Sequence, residues 1–334
     1  MIKVKISQIR STLEKILLKH GLIEKDAKIV ADEYLEGELE GKFSHGLLAF
    51  LALLERLSVT KFSQPKILQK TLSFIYVDAQ KNLGGIVGRQ VVDAAIKMAE
   101  KQGVALILIR DMLTWLRPGN IAKYIADKNM VGVVFNNGGV PMVAPPGGYD
   151  PIIGTNPIGI GIPTSKESIL VDMATSKRAW GIVREAKTQS KNLPSESFYN
   201  SKGEFTVKPE EAHAVVAAGD YKGFALGLMI EILTGSLVDM PMGLHKLDKG
   251  DYRTLPRGAM ILIIDPQKTT SLADFKLSNS SLIKQIKASR KLKGVKEILV
   301  PGERSAKNKQ TNLKQGYLEI NDHLWQQITS LAGY

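Results

Sequence analysis

His45 stands between Ser44 and Gly46 in the run Lys42-Phe43-Ser44-His45-Gly46, directly ahead of the apolar stretch LLAFLALLERL. Imidazole alone has an ordinary pKa near neutrality, and a helix N-terminus disfavours its charged form, so a histidine placed there bears on proton transfer. Ser44 is spaced to cap the helix that follows, which would put His45 in its first turn. A surface histidine beside a cap is the plain alternative, but of the five histidines (His20, His45, His213, His245, His323) this one is set in a candidate site. The second stretch with chemistry in it is GTNPIGIGIPTSKESILVDMATSK, residues 154–177. Residues 158–162 alternate isoleucine with glycine, and a strand without side chains on one face leaves room for a flat ligand or another strand. Residues 169–171 then lead into Asp172-Met173-Ala174-Thr175-Ser176, whose small and hydroxyl side chains leave backbone N–H groups open to an anion. The same residue types suit a buried strand followed by a capped helix. A third candidate is Lys222, at the start of FALGLMIEILTGSL, where a helix N-terminus would meet an anion if the lysine is not simply solvated.

The elements that must position these residues can be read from periodicity. Residues 7–20 and 24–40 carry apolar side chains at helical spacing (Ile9, Leu13, Ile16, Leu17; Ala27, Val30, Ala31, Tyr34, Leu35) and are joined at Gly21. From Ser73 onward strands and helices alternate. The spacing predicts strands over 74–77, 104–109, 131–135 and 260–264, and helices over 90–102, 119–129, 177–187, 282–293 and 322–331. Residues 82–88 read as a glycine loop and 298–300 as a short strand entering a turn. NLGGIVG at 82–88 is not a nucleotide loop: the GxGxxG spacing is absent, no GK[ST] follows, and no acid stands where a Rossmann fold clamps ribose.

At 334 residues, the chain is long enough for two or three lobes or one elaborated α/β unit, and 44% hydrophobic with 23% charged residues excludes wholesale disorder. No apolar run approaches a membrane span, and the N-terminal residues lack the small-residue cleavage site of a signal peptide, so a cytoplasmic protein is expected. The absence of cysteine excludes disulfides, thiolate ligands and cysteine nucleophiles. Neither histidines nor acids show metal-ligand spacing, so no metal is expected. The net charge is +12, and between residues 284 and 315 ten basic residues face only Glu297 and Glu303. That segment has no aromatic residue for base stacking, which argues against nucleic acid and for a solvated basic face or a mouth that attracts an anionic cofactor.

Taken together, SHG at 44–46, GTNP at 154–157, VDMATS at 171–176, YKG at 221–223 and PGE at 301–303 resemble, in order and spacing, the malate/L-lactate/sulfolactate dehydrogenase family that lacks a Rossmann fold. The segment Thr114-Trp115-Leu116-Arg117-Pro118-Gly119 looks most like the 2,3-diketogulonate reductase branch. The resemblance implies a mixed sheet flanked by helices, with a helical lobe (1–72 joined by 280–334) on an α/β core (73–279). It also implies a homodimeric, NAD- or NADP-dependent oxidoreductase that interconverts a 2-oxo acid and a 2-hydroxy acid. On this resemblance His45 is the proton donor, and Ser44, Thr114, Arg117 and Asn156 meet the substrate, Arg117 because a guanidinium suits a bidentate carboxylate. The cofactor falls on Val171, Asp172, Met173, Ala174, Thr175, Ser176 and Lys177, on Tyr221 and Lys222, and on Gly302, Glu303 and Arg304. Lys177 and Arg178 are placed to meet a 2′-phosphate.

Two replacements stand out against the family pattern. Thr114 takes the position of a second histidine, and Ala49 that of an arginine four residues past the SHG histidine that usually binds the substrate carboxylate. They leave open a protein that keeps the fold and cofactor binding with weak or no dehydrogenase activity.

Overall fold

The computed structural model describes residues 1–333, apart from the Lys249 side chain. The first half runs β1 (Ile2–Lys5), α1 (Ile6–Lys19), α2 (Glu24–Leu39), α3 (Leu47–Leu57), β2 (Lys66–Lys70), β3 (Phe74–Asp78), α4 (Gly84–Gln102), β4 (Val104–Met112), α5 (Gly119–Asp127) and β5 (Val131–Asn136). It continues with β6 (Ile158–Ile162), β7 (Ile169–Met173), α6 (Gly181–Gln189), β8 (Phe198–Tyr199), β9 (Ala214–Val215), α7 (Tyr221–Leu233), β10 (Arg257–Ile264), α8 (Leu272–Ala288), α9 (Glu303–Gln315), β11 (Tyr317–Ile320) and α10 (Asp322–Ala332).

Seven strands form the central sheet in the order β2-β3-β4-β10-β5-β6-β7, and only β3 and β4 pair in parallel. A parallel pair needs a crossover, which α4 supplies. The fold is therefore a mixed α/β sheet flanked by helices and not a Rossmann fold. β10 lies in the middle and is apolar almost throughout because both faces are covered. Ala259, Ile261 and Ile263 pack with Ile107, Ile109 and the α4 residues Val92, Ala95 and Ala99, while Met260 meets Leu108, Val238 and Met240 on the other side. The chain termini join in a second core: β1 pairs antiparallel with β11, and α1, α2, α3 and α10 bury Ile9, Leu13, Leu35, Phe50, Trp325 and Ile328 together.

The glycines of β6 make room for a helix rather than a ligand. A Cβ on Gly159 would strike the Pro118–Gly119 backbone and one on Gly161 the Ala122 carbonyl, so α5 lies directly on the bare face of the strand. Residues 82–88 are likewise no loop. Gly84, Gly85 and Gly88 lie in the opening turns of α4, where a Cβ on Gly84 would collide with Trp115 and one on Gly85 with the Glu33 carboxylate.

Other boundaries move for local reasons. Helix α8 begins at Leu272 rather than 282 because the Ser271 Oγ accepts the Asp274 N–H at 3.0 Å and caps it. Residues 298–300 pair with no strand, and the polar helix α9 buries no residue that would mark its period. Tyr221–Val238, 18 residues of mean hydropathy 1.3, is by length and composition apolar enough to cross a membrane, which the apolar runs did not suggest. Its helix α7 has 13 residues, about 20 Å at the α-helical rise, short of the ~30 Å hydrocarbon core. It also carries Glu231, which is buried in an ion pair with Lys246 at 2.5 Å.

Candidate active site

His45 is held by the close approach of its turn to α2. Phe43–His45 form a 3-10 turn, and Gly46 is the residue ahead of α3, so His45 precedes the helix rather than sitting in its first turn. Ser44 does not cap α3. Glu38, reaching across from α2, accepts the Leu47 N–H at 2.6 Å instead. A Cβ on Gly37 would overlap the His45 carbonyl and one on Gly46 the Glu38 carboxylate, so only glycine at both places lets turn and helix touch. Ser44 Oγ lies 2.9 Å from His45 Nδ1. A hydroxyl can accept from Nδ1–H or donate to a bare Nδ1, so this contact serves either tautomer and orients the ring.

His45 forms part of the wall of a cavity of about 480 Å³ whose other walls include Lys42, Ser44, Thr114, Arg117, Asn137, Thr155, Asp172, Met173, Ala174, Ser176, Lys177, Arg178, Arg257 and Arg304. Behind it lies a buried charge network. Asp172 Oδ2 accepts from Lys42 Nζ at 2.7 Å and from Arg117 at 3.3 Å, and its Oδ1 accepts the Gly119 N–H at 3.2 Å. Arg117 donates also to Glu40 at 2.6 Å and to the Asn120 Oδ1 at 2.9 Å.

These pairings set the protonation states. Burial opposes the charge on Asp172 and Glu40, but Lys42 and Arg117 outweigh it and hold both carboxyls below their usual range. Burial, with the Arg117 and Lys42 charges, pushes His45 down to about 4 against the pull of Asp172. The imidazole is therefore neutral at pH 7.

The profile of the malate/L-lactate dehydrogenase family matches residues 4–329. The chain belongs to that family. Malate/(S)-sulfolactate dehydrogenase of Methanothermus fervidus is 32% identical over 329 residues, covering 97% of this chain and 95% of the relative. 2,3-Diketo-L-gulonate reductase of Klebsiella pneumoniae is 22% identical over 335 residues, covering 98% of this chain and all (100%) of the relative. The solved structure of sulfolactate dehydrogenase from Methanocaldococcus jannaschii superposes with a TM-score of 0.89 at 28% identity, covering 99% and 97% of the two chains.

Of the positions at which this malate/L-lactate dehydrogenase family member was expected to meet substrate, Ser44, Thr114 and Arg117 line the His45 cavity. Arg117 is no free clamp, because Glu40 and Asp172 already compensate its charge. Asn156 does not face the cavity. It is fully buried, its Oδ1 accepts from Gly138 N–H, and its Nδ2 donates to the Gly227 carbonyl and to Glu231 at 2.7 Å. It braces the GTNP turn from behind.

The expected cofactor residues divide in the same way. Asp172, Met173, Ala174, Ser176, Lys177 and Arg304 line the cavity. Val171 pairs with Ile160 across the sheet, and Thr175 turns inward to donate to the Thr155 carbonyl; neither lines it. Gly302 and Glu303 border a separate cavity against α8, where Glu303 is held by Lys287 and Lys307. Tyr221 and Lys222 lie exposed at the start of α7 and line no part of the His45 cavity.

Periodicity and motif spacing did not single out Lys42, Glu38, Glu40 or Arg257 for a role. Three of them act on other side chains or on backbone and carry no motif. Arg257 had one available signal, a lone charge heading the otherwise apolar strand RGAMILII.

Proposed function

We propose that this protein is an NAD(P)H-dependent oxidoreductase that interconverts a 2-oxo acid and a 2-hydroxy acid. The observation that carries the reading is the convergence, in one cavity, of a neutral imidazole from the SHG turn with the small-residue segment after β7. Arg304 and Arg178 stand at that cavity with no acid paired to them among the described residues, Arg304 suited to the pyrophosphate and Arg178 to a 2′-phosphate of a dinucleotide. Met173, Ala174, Ser176 and Lys177 would share in holding it. When bound, a nicotinamide supplies or accepts the hydride.

This chain's own residues handle the proton and the fixed charges. In the oxidation direction neutral His45 takes the hydroxyl proton of the 2-hydroxy acid. In reduction it must carry the proton, and the carboxylate and developing alkoxide of the substrate would raise its pKa toward neutrality, with Asp172 pulling the same way. Ser44 keeps the ring oriented. Arg117 and Lys42 hold Asp172 in place behind it.

The same reading takes the protein as a cytoplasmic homodimer with a helical lobe at 1–72 and 280–334 against an α/β core at 73–279. Leu226, Leu228, Met229 and Ile232 on α7, with Leu237 beyond it, leave an apolar face exposed on the single chain, which a second copy would cover. Among the described residues no group of acids and histidines could hold a metal, and the reading requires none.

A second reading, retained fold and cofactor binding without turnover, draws on Thr114. It borders the cavity where the family pattern places a second histidine, and a hydroxyl cannot replace an imidazole as an acid near neutrality. Assay of the purified protein with NADH and NADPH against a panel of 2-oxo acids separates the two. Turnover supports the first. Cofactor binding with no turnover on any acid supports the second.

A further inference from the structure

Arg257 opens strand β10 at the wall of the His45 cavity and is only 5% exposed. Its guanidinium occupies the space a Cβ on Gly139 would need, and one nitrogen donates to the Leu113 carbonyl. Among the described residues, no other hydrogen bond engages that guanidinium and no acid pairs with it. Arg117, the other buried arginine in the cavity wall, behaves differently, because it carries Glu40 and Asp172.

The ionisable groups that act on Arg257 make its position worse. Burial first, then the like charge of Arg56, push it down to about 9, with the Tyr34 hydroxyl offsetting them only in part. The Arg257 charge also repels buried Lys246, whose own charge Glu231 pairs. A desolvated guanidinium with unused donors and cationic neighbours is costly to hold, and an anion delivered through the cavity relieves that cost. The planar fork of donors matches a carboxylate better than a point charge would.

We propose that Arg257 is the residue that binds the substrate carboxylate and so selects 2-oxo acids over neutral ketones. The assignment rests on the reading of the protein as a 2-oxo acid reductase, and it names the recognition residue within that reading. It gives the clamp to a side chain outside every motif in the sequence, in place of Arg117.

The test compares wild type, Arg257→Met and Arg257→Lys. Arg257→Met removes a buried charge with which no acid pairs among the described residues, so with no ligand it should melt no lower than wild type. Oxalate, a carboxylate probe with no ketone to reduce, should stabilise wild type and leave Arg257→Met unmoved. KM for oxaloacetate should rise about 10- to 100-fold in Arg257→Met, the scale of a lost charged hydrogen bond. NAD(P)H affinity should be unchanged, and Arg257→Lys should be intermediate. A methyl ester of the same acid should not distinguish the variants.

Oxalate stabilisation or oxaloacetate KM at wild-type values in Arg257→Met would overturn the assignment. If Arg257→Met does not fold, an Arg257→Lys KM equal to wild type overturns it by itself. If wild type reduces no 2-oxo acid, the proposed reaction fails; oxalate stabilisation that disappears in Arg257→Met would still support an anion site at Arg257.

Discussion

Glu38 and Gly46 are fitted to each other: the Glu38 carboxylate fills the space that any side chain at position 46 would require, and from there it accepts the first N–H of α3 at 2.6 Å. Glu38 is 8% exposed. Through it α2 sets the backbone on which His45 sits, although Glu38 touches no part of the cavity.

Glu38 should make stability fall as pH rises. Burial raises its carboxyl to about 7 against the pull of the Leu47 N–H, so between about 4.5 and 7 the folded chain binds more protons than the unfolded one. Stability from this group is full below the unfolded value and is lost as pH climbs through about 7. Glu38→Gln, which copies the neutral carboxyl, should therefore gain about 1–3 kcal/mol over wild type at pH 8 and little at pH 5. Glu38→Ala leaves the Leu47 N–H without its cap and should cost about 1–2 kcal/mol. Urea titrations at the two pH values check both.

Gly161→Ala distinguishes a packing glycine from a ligand-contacting one. Its new methyl would land on the Ala122 carbonyl of α5, and overpacking of this kind costs about 1–3 kcal/mol. Melting temperature should drop while the dissociation constant for NADH or NADPH, measured on protein that is still folded, stays at the wild-type value.

Arg178 should decide the cofactor phosphate. Lys177 is partly taken, donating to the Glu196 carbonyl at 2.7 Å, whereas Arg178 beside it pairs with no acid among the described residues. NADPH should bind more tightly than NADH, and Arg178→Ala should reduce that preference about tenfold or more through loss of a charged contact. Fluorescence titration with both cofactors measures the ratio, and equal affinities in wild type would rule the idea out.

Several of these residues were readable from the chain and others were not, for reasons that lie in the physics. The helical periods of α1 and α2 and the apolar runs of β4, β5 and β10 survive into the structure because burial of one stripe or one strand leaves its period in the sequence. Polar α9 leaves none. The bare face of β6 is not legible in sequence, because a missing side chain does not say whether a ligand, a strand or a helix fills the gap, and here α5 fills it. His45, Asp172 and Lys177, which the motifs single out, share one cavity's wall, but nothing local in Asn156 or Arg117 announces that Glu231 takes the amide of the one and that Glu40 and Asp172 compensate the charge of the other. Arg257 belongs to no motif, and only the three-dimensional arrangement shows that no acid among the described residues pairs with it.

Thr114→His tests whether the departure from the family pattern limits the rate. Thr114 borders the same cavity as His45, and a second acid/base group contributes typically ~10²–10⁴-fold where it acts. A rise in kcat for any 2-oxo acid would mark Thr114 as the limiting replacement. An unchanged or lower kcat would mean that the wild-type site is complete with threonine.

The most direct measurement follows the absorbance of reduced nicotinamide as wild type and His45→Ala are mixed with oxaloacetate and other 2-oxo acids. Wild type should oxidise the cofactor in proportion to the acid consumed, and His45→Ala should turn over at least ~10²-fold more slowly at near-normal cofactor affinity. Equal rates for the two proteins would contradict the assignment of proton transfer to His45.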